Sequence, residues 1–427
     1  MSSRGKPELL APAGGWKQLK AAVRFGADAV YLACDRFGMR AKSENFPLDE
    51  LPRAVAFAHG EGVRVHVAMN TLMDGEDLKM LPEYLEAVED AGADALIISD
   101  LGAFSLAGRY APHVQRHVST QASVMNAETA RMWHSLGASR VICAREMTLA
   151  GIVEMRAAAP DDLEIETFVH GSMCMAYSGR CLLSSVMTGR SGNKGNCAQS
   201  CRWSYALVEE RRPGEYFPIE EDIEGSYVMN AEDLNMIEHI GELVEAGVDS
   251  FKIEGRNKLA FYVATVTGAY RSVIDGGSVE AAQRELHSIS HRPYGTGFFF
   301  GLAAQTPDRE GYVRACIHVA TVEDCEPAGE GKWLITAQCH NSFDCMTTLE
   351  ALRAREMSCP LSIFDIRWLA PADGGLPFVE RGEMALEEVR AQSVPTRVES
   401  ANRSKEHYIF LSDVPLKPGD FIRKRQE

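Results

Sequence analysis

The chain has 427 residues, of which 45% are hydrophobic and 24% are charged. This ordinary balance excludes a disordered, collagenous or coiled-coil protein, and the sequence has no apolar run of about 18 residues that would span a membrane. The formal net charge of −16 argues against broad binding of polyanions, although a local basic patch can still hold a nucleic acid. The N-terminus lacks an apolar signal core, so we expect a cytoplasmic protein without membrane association.

Short apolar runs alternate with amphipathic helical stretches through the first 255 residues. The apolar runs predict strands at Glu8–Ala13, Ala29–Cys34, Arg64–Asn70, Ala95–Asp100, Gln115–Thr120, Arg140–Glu146, Glu164–His170 and Ser250–Gly255. Helices are predicted at Trp16–Phe25, Leu51–Gly60, Lys79–Ala91, Ala127–Leu136 and Asn235–Ala246. Four of these helices end in the related phrases FGADAV, AGADAL, LGASRV and AGVDSF, in which the glycine is a helix C-cap. The shared phrase indicates a repeated βα unit.

Eight strands that alternate with helices predict a (β/α)8 TIM-type barrel over residues 1–290. A doubly wound sheet is the alternative, but it normally carries a glycine-rich phosphate turn that APAGGWKQ does not match. Residues 171–225 interrupt the alternation of strands and helices. We predict that they form a cysteine-rich insertion after the seventh strand, on the catalytic rim of the barrel. Residues 291–427 change to short strands between Gly, Pro and Asp turns, which predicts a small antiparallel, barrel-like β domain.

Four cysteines of the insertion, Cys174, Cys181, Cys197 and Cys201, follow the spacing C-x(6)-C-x(15)-C-x(3)-C. Thiolates this close in sequence can surround a metal ion or an iron–sulfur cluster, whereas the alternative is four thiols that are crowded by chance. Core thiols usually lie in apolar runs, but these lie among Gly, Ser, Asn and Arg. The gap of six fits a zinc ribbon badly, so an iron–sulfur cluster is favoured, although spacing alone leaves zinc open.

Charged residues at the end of the last predicted strand mark the barrel rim, where catalytic groups of such barrels lie. Lys252, Glu254 and Arg256 alternate with the apolar Phe251 and Ile253. Since side chains alternate between the two faces of a strand, the charged side chains should face the barrel axis or its mouth. A structural ion pair inside the barrel is the alternative.

Other polar residues are predicted on the same rim. Glu166 and His170 share a face with Phe168 just before the insertion, and His66 lies in the third strand. A lone histidine is usually a hydrogen-bonded core residue, but several converging polar groups favour a functional site. The candidate catalytic residues are therefore Lys252, Glu254, Arg256, Glu166, His170 and His66.

An RNA substrate needs phosphate contacts and a pocket for an extruded base. Arg190, Lys194 and Arg202 lie around the cysteines, and the ring of Trp203 is available to stack on a base. Each cation alone is usually a solvated surface charge, but their concentration on the predicted rim of an acidic protein predicts an RNA contact there.

Three blocks resemble the collagenase-like peptidase family of unassigned catalytic type, number thirty-two. They are EIETFVHGSMCMAYSGRCLLSS, SFKIEGRNKLAFYVATVTGAYR and SHRPYGTGFFFG. With the opening ELLAPAGGWKQLKAAVRFGADAVYLA, the resemblance covers at least residues 7–301. Better-understood members of the family resemble oxygen-independent hydroxylases that carry a 4Fe–4S cluster. The resemblance therefore implies a cluster on Cys174, Cys181, Cys197 and Cys201, with Cys34 as a spare candidate.

The resemblance also implies a substrate. One branch of the family hydroxylates the wobble uridine of tRNA to 5-hydroxyuridine, with prephenate implicated as the oxygen source. Other branches act on a ribosomal RNA cytidine or in ubiquinone ring hydroxylation. The length, the CMAYSGRCLLS motif and the C-terminal β domain look most like the tRNA branch. The ubiquinone branch generally works as a pair of proteins, and here we expect tRNA as the partner and no obligate protein partner.

Two other functions stay open. The family label implies a collagenase-like peptidase, but the sequence has no H-E-x-x-H and no G-x-S-x-G motif. A cysteine nucleophile would need a positioned histidine, and His170 is the nearby one in sequence. A non-catalytic binding or maturation partner with a structural metal would instead have a closed four-cysteine site without a pocket beside it.

Overall fold

The computed structural model of the chain describes residues 5–39, 44–173, 178–203, 206–207, 217–218, 232–303, 313–381 and 384–426. The chain forms two compact units. The first contains Met1–Val279 and His291–Tyr312, and the second contains Glu280–Ser290 and Val313–Glu427. The chain therefore leaves the first unit for one helix and returns to it before it completes the second unit, whereas the sequence predicts one boundary at residue 290.

The first unit is built from short strands and α-helices in alternation. Its strands are β1 (Glu8–Pro12), β2 (Ala29–Leu32), β3 (Arg64–Met69), β4 (Ala95–Ile98), β5 (Gln115–Val118), β6 (Arg140–Ile142), β7 (Glu164–Ser172), β8 (Ala206–Leu207), β9 (Phe217–Pro218), β10 (Asp233–Asn235), β11 (Ser250–Ile253) and β12 (Tyr294–Gly295). Its helices are α1 (Trp16–Arg24), α2 (Leu51–Gly60), α3 (Gly75–Asp90), α4 (Leu101–Tyr110), α5 (Ala127–Ser135), α6 (Leu149–Ala158), α7 (Leu183–Thr188), α8 (Ile240–Glu245) and α9 (Ala260–Ile274).

Eight parallel strands of this unit close into a barrel. β1 to β7 lie side by side in chain order, and β11 pairs with both β1 and β7. Ser250 of β11 pairs with Glu8 on one side and with Glu166 on the other. This closure confirms the predicted TIM-type barrel and excludes the doubly wound sheet, which would leave two open edges. β1, β2 and β4 read as almost continuous apolar runs because helices cover the outside of the barrel.

The repeated phrase between helix and strand has the predicted role. The glycines that follow α1, α3, α5 and α8 all have positive φ angles, between 75° and 99°: Gly26, Gly92, Gly137 and Gly247. This left-handed conformation ends a helix and is accessible to glycine without steric cost. The same glycine C-cap thus ends the helix and redirects the chain into the next barrel strand at four places.

The segment before β11 differs from the predicted helix over Asn235–Ala246. Asp233–Asn235 forms β10, which runs antiparallel to the end of β7 and pairs Asn235 with His170. α8 begins only at Ile240. Pairing with the extended end of β7 satisfies the backbone groups of this segment and overrides its helical periodicity.

The second unit is an antiparallel β domain, as predicted. Its helices are α10 (Val279–Ser288) and α11 (Leu386–Ala391), and its strands are β13 (Cys316–Gly329), β14 (Lys332–Cys339), β15 (Phe343–Asp344), β16 (Leu349–Leu352), β17 (Cys359–Leu361), β18 (Ile363–Pro371), β19 (Ser393–Arg397), β20 (Ser400–Ala401), β21 (His407–Ser412) and β22 (Phe421–Arg425). The main sheet has the order β17-β16-β22-β13-β14-β21-β18-β19. None of the helices in the described part of the chain has the length and apolar character that a membrane crossing requires.

Candidate functional site

The barrel interior holds charged side chains that contact one another in a chain. Lys252 Nζ lies 2.8 Å from Glu166 Oε1, and Glu166 Oε2 lies 2.8 Å from Arg140 Nη1. The same nitrogen of Arg140 lies 2.6 Å from Glu8 Oε1. We call Glu8, Arg140, Glu166 and Lys252 the interior charge chain. All four are buried, and the two cations offset the two carboxylates, which is the condition for keeping charges away from water.

Strand register explains how these residues meet. Ser250 pairs with Glu8 of β1 and with Glu166 of β7, so all three lie on one face of the sheet. Since side chains alternate along a strand, Lys252 of β11 lies on the same face as Ser250. Lys252 thus faces the barrel interior, as the alternation in the sequence predicts, and its contact with Glu166 is the ion pair that the sequence leaves open. A catalytic role for Lys252 stays a prediction.

Burial and charge act in opposite directions on these groups. Burial raises the pKa of Glu166, but Lys252 and Arg140 outweigh it and hold that pKa below its ordinary value. Burial also raises the pKa of Glu8, and Arg140 is the main group that brings it down to about 2. Burial lowers the pKa of Lys252, although Glu166 opposes the shift. The result is an ionised carboxylate beside an amine whose charge is costly to bury, a pairing typical of functional sites.

Aromatic and neutral side chains surround the amine of Lys252. Its Nζ lies 4.5 Å from the ring centroid of Tyr31 and 5.6 Å from that of Phe168, within the range of cation–π attraction. The rings of His66 and His117 lie 4.9 Å apart in the same interior. Burial lowers the pKa of His66 to about 4 and that of His117 well below its ordinary value, so both rings are neutral at pH 7.

A β-bulge separates His170 from these groups. Lys252 pairs with Phe168, but the next residue, Ile253, pairs with His170, so one residue of β7 is skipped. The bulge moves His170 to the other face of the sheet. The predicted shared face of Glu166 and His170 is therefore wrong.

Tyrosine rings surround His170 instead. Its ring centroid lies 6.1 Å from that of Tyr262, 5.5 Å from that of Tyr270 and 5.4 Å from that of Tyr294. Burial lowers the pKa of His170 to about 3. The structure thus places His170 near the barrel rim as a neutral ring among aromatic neighbours.

The other predicted residues of the last strand lie beyond its end. β11 ends at Ile253, and the backbone N–H of Glu254 donates to the carbonyl oxygen of His170 at 2.9 Å. Arg256 is 5% exposed, and its Nη1 lies 3.5 Å from the position that a β-carbon would take on Gly38, in the loop after β2. Lys252 and Glu166 are therefore brought together, whereas Arg256 lies near the β2 side of the mouth.

The described residues 178–203, which we call the cysteine segment, contact the barrel rim on the side of β5 and β6. Ser123 Oγ, after β5, donates to the carbonyl oxygen of Ser178 at 2.5 Å. Glu146, after β6, accepts the backbone N–H of Ser178 at 3.0 Å. A β-carbon on Gly179 would lie 2.1 Å from the carbonyl oxygen of Gln121. This close approach requires glycine.

The same segment also contacts the rim on the side of β2 and β3. A β-carbon on Gly195 would lie 2.6 Å from the carbonyl oxygen of Gly38, after β2. The backbone N–H of Leu72, after β3, donates to the carbonyl oxygen of Asn193 at 3.1 Å. β2 and β6 are four positions apart in the closed eight-stranded order, so the cysteine segment crosses the mouth of the barrel.

The cysteine segment carries three of the four predicted ligands. Cys181, Cys197 and Cys201 are half-buried, and no disulfide joins cysteines within the described residues. The backbone N–H of Gln199 donates to Cys197 Sγ at 3.3 Å. A partly exposed thiol that accepts a backbone N–H, as that of Cys197 does, fits the donor chemistry of an iron–sulfur cluster. Within the described residues, which include Cys181, Cys197 and Cys201, no three His, Cys, Asp or Glu side chains form a metal-binding group. Cys174 lies outside those residues, and the four-cysteine ligand set stays a prediction.

The RNA contacts predicted from the sequence are Arg190, Lys194, Arg202 and Trp203. Arg190 Nη2 donates to the carbonyl oxygen of Cys197 at 3.1 Å, and Lys194 Nζ lies 2.5 Å from a carboxylate oxygen of Asp74. Arg190 thus contacts its own segment, whereas Lys194 joins the cysteine segment to the residue before α3. Trp203 is 47% exposed, whereas the side chain of Arg202 lies outside the described residues.

Sequence reasoning did not select two members of the interior charge chain, Glu8 and Arg140. Each is the first residue of a predicted strand and is followed by four apolar residues. At the amino-terminal end of a strand, a charge is normally expected to reach solvent. One feature of the sequence could have identified both residues. In a barrel strand the inward face does not reach solvent, so a charged residue on that face needs a partner of opposite charge.

The fold and the site together define a class of protein. A closed barrel of eight parallel strands, with polar side chains inside and a polar segment across the carboxyl ends, is the architecture of a TIM-type barrel protein with its site at that end. The model of peptidase family U32 matches residues 14–308. This match spans more than half of the chain, and the chain belongs to peptidase family U32.

The chain is similar to several relatives with different names. The tRNA hydroxylation protein P1 of Bacillus subtilis is 40% identical over 304 residues, covering 69% of this chain and 71% of the relative. An uncharacterized protease of Methanocaldococcus jannaschii is 44% identical over 303 residues, covering 69% and 73%. The tRNA hydroxylation protein P of Escherichia coli is 36% identical over 337 residues, covering 69% and 74%.

Proposed function

We propose that this chain is an RNA-modifying enzyme that hydroxylates the wobble uridine of tRNA to 5-hydroxyuridine without molecular oxygen. The observation that carries the proposal is the cysteine segment, which crosses the mouth of a barrel whose interior holds the buried Lys252–Glu166 pair. Two relatives, at 40% and 36% identity, are named tRNA hydroxylation proteins. The resemblance of CMAYSGRCLLS to the tRNA branch of the family supports the same substrate.

The proposal includes a 4Fe–4S cluster held by Cys174, Cys181, Cys197 and Cys201. In its support, three of these thiols lie on the cysteine segment and Cys197 Sγ accepts a backbone N–H. A bound cluster would supply one-electron chemistry at the barrel mouth. The family resemblance adds prephenate, a dicarboxylate, as the proposed oxygen donor.

The residues of the barrel would bind and orient the reactants. Lys252 would hold an anionic group of the substrate or donor and keep a proton at Nζ. Glu166 would orient the amine through the 2.8 Å contact, and Arg140 keeps Glu166 ionised. Arg256 would supply a second cation at the rim, and the neutral ring of His66 a hydrogen-bonding group in the interior.

The charges of the cysteine segment favour an anionic partner. Every charged residue between positions 178 and 203 is a cation, namely Arg180, Arg190, Lys194 and Arg202. This run lies in a chain with a net charge of −16, so it is the local patch that an acidic RNA-binding protein needs. The half-exposed ring of Trp203 offers a stacking surface for an unpaired base.

Mass spectrometry of tRNA nucleosides tests the substrate. Deletion of the gene should remove wobble 5-hydroxyuridine and its derivatives, and the wild-type chain should restore them. Lys252→Met should fail to restore them, whereas the control Lys79→Met changes an exposed lysine on α3 and should succeed. Unchanged 5-hydroxyuridine in a deletion strain that has no second enzyme for it would overturn the tRNA assignment. Ribosomal RNA nucleosides from the same strain test the ribosomal alternative.

Anaerobic purification tests the cofactor. We expect iron and sulfide in the protein, with an absorbance band at about 400 nm typical of such clusters. Cys197→Ser should remove the brown colour. Stoichiometric zinc without iron or sulfide would contradict the cluster.

The peptidase function is favoured by the name of the family and by relatives named as a protease in Methanocaldococcus jannaschii and as a collagenase in Porphyromonas gingivalis. A thiol peptidase needs a histidine base, and His170 is the one close in sequence to the cysteines. The pKa of His170 is lowered to about 3 by burial, which makes its ring a weak base at neutral pH. Gelatin cleavage by pure protein that is abolished by His170→Gln would favour the peptidase.

A further inference from the structure

Two consecutive residues after β6 hold both sides of the stretch that contains Cys174 in the sequence. Arg145 Nη1 donates to the carbonyl oxygen of Ser172, the last residue of β7, at 2.9 Å. Glu146 accepts the backbone N–H of Ser178 at 3.0 Å with one carboxylate oxygen and its hydroxyl at 3.1 Å with the other. We call Arg145 and Glu146 the rim clamp.

The clamp is itself fixed in place. The guanidinium carbon of Arg145 lies 4.3 Å from the ring centroid of Phe168, a cation–π contact that orients the side chain. Ser178 is 7% exposed, and its carbonyl oxygen accepts the hydroxyl of Ser123 at 2.5 Å. The rim therefore binds the N–H, the hydroxyl and the carbonyl of one buried serine. Such complete pairing fixes the position of the backbone, because any shift would leave a buried polar group unsatisfied.

We propose that Arg145 and Glu146 are positioning residues for the metal cluster. By holding Ser172 and Ser178, they would fix the two points of the chain between which Cys174 lies in sequence. This inference rests on the proposed function, since it requires a bound cluster. Groups that hydrogen-bond a metal ligand directly typically change metal affinity by roughly 10- to 100-fold when they are lost. The rim clamp contacts the chain on either side of Cys174 instead, so we expect an effect at the lower end of that range.

Substitutions at Glu146 separate the hydrogen bonds from the charge. Glu146→Ala removes both contacts to Ser178 and should loosen the bound iron. Glu146→Gln should keep both hydrogen bonds to Ser178, because its amide oxygen can accept the N–H while its amide nitrogen donates to the serine oxygen. The matched control is Glu154→Ala, which removes an exposed carboxylate from the following helix, α6.

The measurement is the rate at which a chelator removes iron from the anaerobically reconstituted protein, followed by the loss of visible absorbance. Glu146→Ala should release iron roughly tenfold faster than the wild type, with Glu146→Gln and Glu154→Ala within about twofold of it. Thermal unfolding of the metal-free proteins checks that the variants fold. If Glu146→Ala does not fold, Ser178→Ala and Arg145→Met carry the test, and each should also accelerate release.

The outcomes distinguish this inference from the proposed function. Iron release at the wild-type rate in every clamp variant would overturn the inference and leave the cluster intact. Faster release in Glu146→Gln than in Glu146→Ala would also overturn it, because the hydrogen bonds would then not be the cause. A wild-type chain that binds neither iron nor sulfide would remove the proposed cluster and this inference together.

Discussion

Arg140 is the central residue of the interior charge chain. It is 1% exposed, and its guanidinium contacts Glu8 at 2.6 Å, Glu166 at 2.8 Å and Glu164 at 2.6 Å. Burial lowers the pKa of Arg140, but the carboxylates around it raise it by more, so the cation is stable inside the barrel. A buried ion pair contributes little net stability, but the loss of one partner leaves an uncompensated buried charge.

Replacement of Arg140 should therefore destabilise the folded protein strongly. Arg140→Met leaves the buried Glu8 without its main cation and Glu166 with Lys252 alone, and we expect the free energy of unfolding to fall by about 3–5 kcal/mol. The matched control is Arg64→Met, because Arg64 also contacts Glu8 but its side chain is 46% exposed. The control should cost less than about 1 kcal/mol. Denaturant titration measures both, and equal losses would contradict the argument.

The buried histidines should make the protein sensitive to acid. Burial lowers the pKa of His66 to about 4 and that of His170 to about 3, whereas an unfolded histidine titrates near about 6.5. Below that pH the unfolded chain binds protons that the folded chain does not, so stability falls as the pH falls. Each histidine should contribute a slope approaching about 1.4 kcal/mol per pH unit between its two pKa values. The denaturation midpoint of the wild type should fall from pH 7 to pH 6 and again to pH 5. The midpoint of His66→Gln should fall less steeply over the same range. If the midpoints of both proteins fall equally with pH, His66 is not a cause of the acid sensitivity.

At the scale of an element, the cysteine segment depends on glycines that meet the rim. Gly179 has a φ of 75°, and a β-carbon on it would lie 2.1 Å from the carbonyl oxygen of Gln121. Gly189 has a similar φ of 70°, but nothing lies within 4 Å of its added β-carbon. A side chain at either glycine strains the left-handed backbone, but only a side chain at Gly179 also clashes with the rim. Comparing substitutions at the two positions therefore isolates the effect of the rim contact.

Alanine at the two positions should therefore have different effects. Both substitutions strain the backbone by roughly 1–3 kcal/mol, but Gly179→Ala must also push the segment away from the rim. We expect faster hydrogen exchange at Ser178 and weaker iron retention in Gly179→Ala than in Gly189→Ala. Mass-spectrometric hydrogen exchange and iron assays measure these, and the same behaviour in both variants would show that the rim contact is unimportant.

Elements were predictable where a local pattern determines them. The repeated αβ phrase predicts the barrel, because the helix ending, the glycine and the next strand lie within a few residues. The inward position of Lys252 follows from alternation along one strand. The bulge that moves His170 depends on pairing between β7 and β11, and the contact of Arg140 with Glu8 joins residues 132 positions apart. No local pattern contains such long-range register.

At the scale of the whole molecule, charge and proposed substrate oppose each other. The net charge of −16 repels a polyanion at long range, and the cations that would attract it are concentrated in the cysteine segment. Lys194 already contacts Asp74, and Arg190 a backbone carbonyl. Arg180 is exposed, so it is the cation of this segment that we expect to reach phosphate most easily. Binding should therefore use a small number of phosphate contacts.

A small number of contacts has a measurable consequence. Each phosphate contact to single-stranded nucleic acid contributes about −0.7 to the slope of log K against log salt concentration. For two to four contacts with a tRNA anticodon loop, we expect a slope of roughly −1.5 to −3. Arg180→Gln should make that slope shallower by about 0.7, because one contact is lost. Fluorescence anisotropy in a salt series measures the slope, with Lys79→Gln on α3 as the control that should leave it unchanged. Binding that does not respond to salt, or an equal response in both variants, would place the RNA elsewhere on the chain.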